Sequence, residues 1–198
     1  MTREKARELF QPHIDGIQPQ RLQDFANFLF DKLGDEWFEK PASSTGKYHP
    51  TFANGDGGLA LHTEYACEVW DYLYRGFETQ LKELVGEYAH GMGKFALIFH
   101  DAKKYGLATI GRYTTKTHDV DSAHWAMLYA DEFDKENPAE NIEEDVAMFG
   151  VIRDAMERHM GPWSTPGAPR TLFEQLVFIA DYVASQKTFE QERFRANT

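Results

Sequence analysis

The 198-residue chain has a single cysteine, Cys67, so it lacks both the pairs a disulfide framework needs and the thiolates of a cysteine-based zinc module. Basic residues are in the minority: 21 Lys and Arg stand against 32 Asp and Glu, for a formal charge of −11. A balance of that sign argues against a protein that grips long nucleic acid or an anionic membrane mainly by charge. Long apolar runs are missing too. The densest, Phe95 to Phe99, falls far short of the ~20 residues a membrane helix needs. No apolar leader follows Met1-Thr2-Arg3-Glu4-Lys5, which runs straight into a charged helix. The expectation is an acidic cytoplasmic protein without membrane contact, long enough for one domain with a sizeable core.

Helical spacing dominates what is present. Leu22, Phe25, Phe28, Leu29, Leu33 and Trp37 recur every three or four residues, which predicts a helix over Pro19 to Glu39 that Pro41 ends. Ala42 to Gly58 is rich in Ser, Thr, Gly and Asn and reads as a loop of the length that is often functional. Further helices are expected over Gly58 to Arg75, Thr79 to His90 and Lys94 to Lys104. Periodicity alone leaves Phe95 to Phe99 open between buried strand and buried helix; the lack of a partner strand favours helix. Tyr105 to Lys116 is β-branched and punctuated by glycine, a short hairpin or an extended loop. Helices return over Asp121 to Phe133, Pro138 to about Arg158 and Thr171 to Phe189, with a proline-rich loop at Gly161 to Pro169. The fold expected is all-α, one compact helical domain over 1–198. Its core would span about 55–187, with N-terminal helices from 1–41 packed on it.

The chain has eight histidines, and their placement is informative. His62 lies early on one expected helix, and the adjacent pair His100-Asp101 closes the most apolar run. His124 and His159 lie on or at the ends of two further helices, and Asp181 interrupts the apolar face Phe178-Ile179-Ala180-Asp181-Tyr182-Val183. Burying such groups costs several kcal/mol unless a metal or a partner compensates. Helical cores build metal centres in this way, one imidazole or carboxylate from each of several helices.

The ordered set Gly57-Gly58-Leu59-Ala60-Leu61-His62-Thr63, Phe99-His100-Asp101-Ala102-Lys103-Lys104, His124, Glu157-Arg158-His159-Met160-Gly161 and Ile179-Ala180-Asp181-Tyr182 resembles the HD-domain metal-dependent phosphohydrolases. The resemblance covers roughly Gly55 to Lys187. It implies His62, His100, Asp101 and Asp181 as ligands of one metal ion, with Asp101 bridging to a second ion held by His124 and His159. Imidazole and carboxylate suit Mn, Fe, Co, Ni or Zn, and Mg less well. Two carboxylate charges against two divalent ions leave a local positive surplus that can hold a phosphate inside an acidic protein, since charges beyond about 8 Å are largely screened. A metal-bridging water of lowered pKa would be the nucleophile.

Lys104 stands one helical turn after Asp101, at the lysine of the family's His-Asp-x-x-Lys pattern, and is expected at the reacting phosphate beside Asp101; Lys103 should face solvent. Lys47, in the loop before the His62 helix, His118 and Arg158 are the further substrate-contact candidates. His118 could also replace His124 as a ligand. The resulting expectation is a dinuclear phosphohydrolase that cleaves a phosphoester or phosphodiester of a small nucleotide-type substrate, with short single-stranded nucleic acid as a lesser option. The same ligands would serve an HD-type di-iron oxygenase acting on a polyol or phosphonate. The third alternative is a non-catalytic nucleotide-binding module.

Overall fold

The computed structural model describes residues 1–47 and 49–189, and the end of the helix expected over Thr171 to Phe189 reaches the edge of that range. Eight α-helices are present among the described residues, and no strand. They are α1 (Arg3–Asp15), α2 (Gln20–Lys32), α3 (Asp35–Glu39), α4 (Gly58–Val85), α5 (Ala89–Phe99), α6 (His118–Glu136), α7 (Ile142–Glu157) and α8 (Leu172–Ala184). No described helix is long and apolar enough to cross a membrane.

The organising element is α5. Every residue from Gly91 to Gly106 is buried, and helices α1, α2, α4, α6, α7 and α8 all pack against α5. The apolar run Phe95 to Phe99 is therefore a helix buried on all sides rather than a strand. His100 and Asp101 follow at the inner end of the chain's most deeply buried segment. The N-terminal α1 and α2 pack on this core, and one continuous set of buried apolar residues runs from Ala6 to Ala184.

Several boundaries differ from the sequence expectation for physical reasons. The helix expected over Pro19 to Glu39 breaks at Leu33-Gly34, both extended, and this turn brings Trp37 and Phe38 into the core. The two helices expected between Gly58 and His90 are one, α4, which kinks at Phe77 and ends at Gly86. Gly91-Met92-Gly93, which falls between the helices expected over Thr79 to His90 and Lys94 to Lys104, lies inside α5. There the glycine serves close packing, since a Cβ on Gly93 would sit 2.0 Å from the Trp70 ring of α4. Residues 105–116 form the extended loop rather than the hairpin, tied by Gly111 N–H to Tyr105 C=O (2.7 Å) and Thr115 N–H to Lys104 C=O (2.9 Å). Finally, α6 begins at His118, three residues before the expected start, which makes His118 part of the helix.

Candidate metal centre

Four helices and the segment between α5 and α6 converge on Asp101. His62 comes from the second turn of α4, whose start is fixed by its glycines. Gly57 has φ +77°, and a Cβ on Gly58 would lie 2.1 Å from the Ala53 carbonyl oxygen. Gly57 and Leu59 donate to the Glu39 and Lys40 carbonyls at 2.9 and 3.0 Å, which anchors this helix start to the end of α3. The Gly-Gly-Leu lead-in to His62 is thus a positioning device.

The two oxygens of Asp101 face different partners. Oδ2 lies 3.2 Å from His100 Nε2 and 3.9 Å from His62 Nε2, and it accepts a hydrogen bond from Lys104 Nζ. Oδ1 lies 3.3 Å from His118 Nε2 and 3.6 Å from His159 Nε2. Asp181 on α8 closes the first side, its Oδ1 at 2.9 Å from His62 Nε2 and 3.3 Å from His100 Nε2. His62, His100 and Asp101 have no exposed side-chain surface; Asp181 keeps 18%, Lys104 10% and His118 7%, so those three form the open edge.

Three of the histidines share one orienting device. The Nδ1–H groups of His100, His118 and His159 donate to the carbonyls of Leu97, Thr115 and Met156, each three residues earlier, at 2.6, 2.7 and 2.6 Å. With the proton held on Nδ1, the Nε2 lone pair of a neutral ring turns toward the cluster, the arrangement that metal-ligating histidines use. His100 Nε2, Asp101 Oδ1 and His62 Nδ1 are buried without a hydrogen-bond partner. Buried polar atoms of that kind cost free energy unless something else satisfies them. Three groups, His62/His100/Asp101, His100/His159/Asp181 and Asp101/His118/His159, each bring their donor atoms within 4.8 Å of one another. The donor set fits divalent transition-metal ions: imidazole nitrogens and carboxylate oxygens, no thiolate, and unused lone pairs.

The electrostatics run the same way. Burial would raise the Asp101 carboxyl, but Lys104 and His100 outweigh it and hold it well below the usual range. Asp181 is likewise held low, against its burial, by the His100 and His62 rings that face its Oδ1. Burial lowers His62, and lowers His118 to about 4, leaving both rings neutral at pH 7. His100 is the exception: Asp101 and Asp181 overcome burial and push it up to about 10, so in the metal-free cluster the ring is cationic and acts as a ligand only by giving up its Nε2 proton.

Of the expected site residues, His62, His100, Asp101, His159, Asp181 and Lys104 meet here. His124 does not. It is exposed on the outer face of α6, and His118 stands in the place assigned to it. Six residues at about 100° each put the two side chains about 120° apart around the helix, so only one can face inward. The buried positions Ser122, Trp125 and Ala126 share the phase of His118, which is the signal that would have selected it. Arg158 is not presented to a ligand: its NH1 donates to the Pro166 and Gly167 carbonyls at 2.9 and 3.0 Å. Lys103, expected in solvent, is buried, with its ammonium 3.8 Å from Glu36 and over the Trp125 ring. Lys47 is exposed on the loop before α4, and from that loop His49 reaches the cluster, its ring centroid 4.8 Å from that of His62. Burial, with His62 and Lys104 nearby, lowers His49 to about 2.

A groove of about 900 Å³ between α2, α7 and the α4–α5 turn contains none of these residues. Comparisons of the chain with family models, with curated proteins and with solved structures gave no match.

Proposed function

We propose that this chain is a metal-dependent phosphohydrolase of the HD type, acting on a phosphoester or phosphodiester of a small nucleotide-like substrate. The observation that carries the reading is the two-sided Asp101 carboxylate, with His62, His100 and Asp181 on its Oδ2 side and His118 and His159 on its Oδ1 side. In this reading His62, His100, Asp101 and Asp181 hold one divalent ion, and Asp101, His118 and His159 hold a second. Such ions supply Lewis-acid polarisation of a phosphoryl oxygen and a water of lowered pKa.

The chain's own residues do the rest. Asp101 and Asp181 stay ionised, so the donor set is charged at every pH near neutral. The backbone carbonyls of Leu97, Thr115 and Met156 keep three rings in one tautomer and orientation. Lys104 uses one of its three N–H donors on Asp101 and lies on the open edge, where the others suit an anionic oxygen of the substrate. A substrate entering past Asp181, Lys104 and His118 meets the side of the Asp101 cluster on which side-chain surface stays open to solvent, 18%, 10% and 7% at those three residues.

The test is elemental analysis of the purified protein. It is followed by a screen for phosphate or nucleotide release from nucleoside mono-, di-, tri- and cyclic phosphates with Mn, Co, Ni, Fe and Mg. Turnover that disappears in Asp101→Ala supports the proposal. Bound iron with oxygen consumption and no phosphate release would replace it with the oxygenase. Affinity for a nucleotide with metal bound but no turnover would reduce it to a binding module.

A further inference from the structure

The His118–His159 side of the cluster is built differently from the other side. His62 and Asp181 sit within α4 and α8, two helices packed along each other. His118 is the first residue of α6, and His159 lies just past the end of α7, so neither is fixed by helix on both sides. Each has a buried charged residue as its chain neighbour: Asp119 with no exposed surface and Arg158 with 8%.

Both neighbours grip one stretch of chain. Asp119 Oδ2 accepts from Thr165 N–H at 2.6 Å, and its Oδ1 accepts from Thr165 Oγ1 at 2.8 Å. Arg158 NH1 donates to the carbonyls of Pro166, Gly167 and Ala168 at 2.9, 3.0 and 3.4 Å. Thr165, Pro166 and Ala168 are themselves exposed, so apolar burial contributes little to holding them. Interring Asp119 and Arg158 costs several kcal/mol, which these hydrogen bonds offset together with the buried Glu174, 3.5 Å from Arg158 Nε, and the Val120 N–H, which donates to Asp119 Oδ1 at 2.9 Å. The result is a closed circuit: His118-Asp119, then the 165–168 strap, then Arg158-His159, with the two imidazoles returning to Asp101 Oδ1.

Taking the two-ion reading above as its basis, we infer that the 165–168 strap, clamped by Asp119 and Arg158, sets the spacing of His118 and His159 and so governs occupancy of the second metal site. Asp119, Thr165 and Arg158 are positioning residues. They touch neither ion nor substrate, and they act through the two imidazoles. The first ion, held by His62, His100, Asp101 and Asp181, is independent of the strap.

The experiment is a Co²⁺ titration of the full chain, read by visible absorption and by elemental analysis after gel filtration. The chains compared are wild type, Asp119→Ala, Asp119→Asn, Thr165→Val and Arg158→Gln, with helical content checked by circular dichroism. Wild type should bind two ions. The Asp119→Ala and Arg158→Gln chains should keep the tighter ion at wild-type affinity and bind the second about 10- to 100-fold more weakly, the usual loss when a partner behind a metal ligand is removed. The Asp119→Asn chain retains one oxygen acceptor and should lose less than Asp119→Ala. If Asp119→Ala fails to fold, Thr165→Val decides, since it deletes one hydroxyl and leaves the backbone bond. Two ions bound at wild-type affinity by the variants overturn the inference while leaving the metal reading intact. A wild-type chain that binds one ion also overturns it, and one that binds none removes both.

Discussion

His118 points its Nε2 at Asp101 Oδ1 across 3.3 Å, from the first residue of α6. That contact joins a buried carboxylate to a histidine that motif order alone assigns a lesser role, and it makes a sharp prediction. His118→Ala should lower affinity for the second ion by at least 10- to 100-fold, the loss expected from removing even an outer partner of a ligand. His124→Ala, on the exposed face, should be indistinguishable from wild type. Metal titration of the two variants side by side checks the assignment, and the reverse result would restore His124.

Lys104→Met removes an ammonium from the edge of the site without removing a ligand. A hydrogen bond involving a charged group contributes about 1.5–3 kcal/mol, so kcat/KM for a phosphorylated substrate should fall roughly 10- to 150-fold. Metal content should stay at the wild-type value. Loss of the ions together with activity would show that Lys104 instead supports the ligand set through Asp101.

A second polar cluster, built around the buried Lys94, gives a pH dependence that is separate from the metal ligands. Lys94 Nζ donates to His13 Nδ1 at 2.8 Å and to Asp71 Oδ2 at 2.7 Å, and Asp71 Oδ1 bonds His90 Nε2 at 2.8 Å. Accepting from an ammonium requires His13 to be neutral. Burial, then the Lys94 charge, lowers it to about 4, against a smaller opposing pull from Asp71. The folded protein therefore binds this proton more weakly than the unfolded chain. The contribution to stability is complete above pH 6.5 and is lost as pH falls toward 4. Urea unfolding at pH 7 and pH 4.5 should show His13→Gln losing less stability on acidification than wild type, by on the order of 2 kcal/mol. Equal losses in the two proteins would remove His13 as the cause.

Gly93→Ala sets helix propensity against packing. Propensity favours alanine by about 1 kcal/mol. The new Cβ, however, would meet the Trp70 ring at 2.0 Å, and overpacking of a tight core costs about 1–3 kcal/mol. The expectation is net destabilisation, visible as a lower urea midpoint, with part of the loss recovered by Trp70→Phe. A variant more stable than wild type would mean that α4 and α5 can move apart at little cost.

What the sequence makes legible follows the range of the interactions. The helical class and the buried α5 are carried by local periodicity and by the apolar run that ends in His100-Asp101. His62, His159 and Asp181 could be picked out because each breaks or ends an apolar pattern in a recognisable order. The choice of His124 over His118 follows the order of the family motif, whereas the phase of the buried Ser122, Trp125 and Ala126 puts His118 on the inner face of α6 and His124 on the outer one. Arg158 and Lys103 were unreadable because their partners, the carbonyls of 166–168 and Glu36, are near only in the fold. Asp119 gave no motif signal, since what defines it is a contact with Thr165, 46 residues away.

The central claim is that this cluster holds divalent metal, and the most direct measurement is transition-metal content per chain in wild type and Asp101→Ala after identical purification and dialysis against Mn²⁺. The account predicts two ions per wild-type chain and fewer than one in the variant, because Asp101 faces all four histidines of the cluster. Wild-type protein without bound metal, or an Asp101→Ala chain that retains both ions, would contradict it.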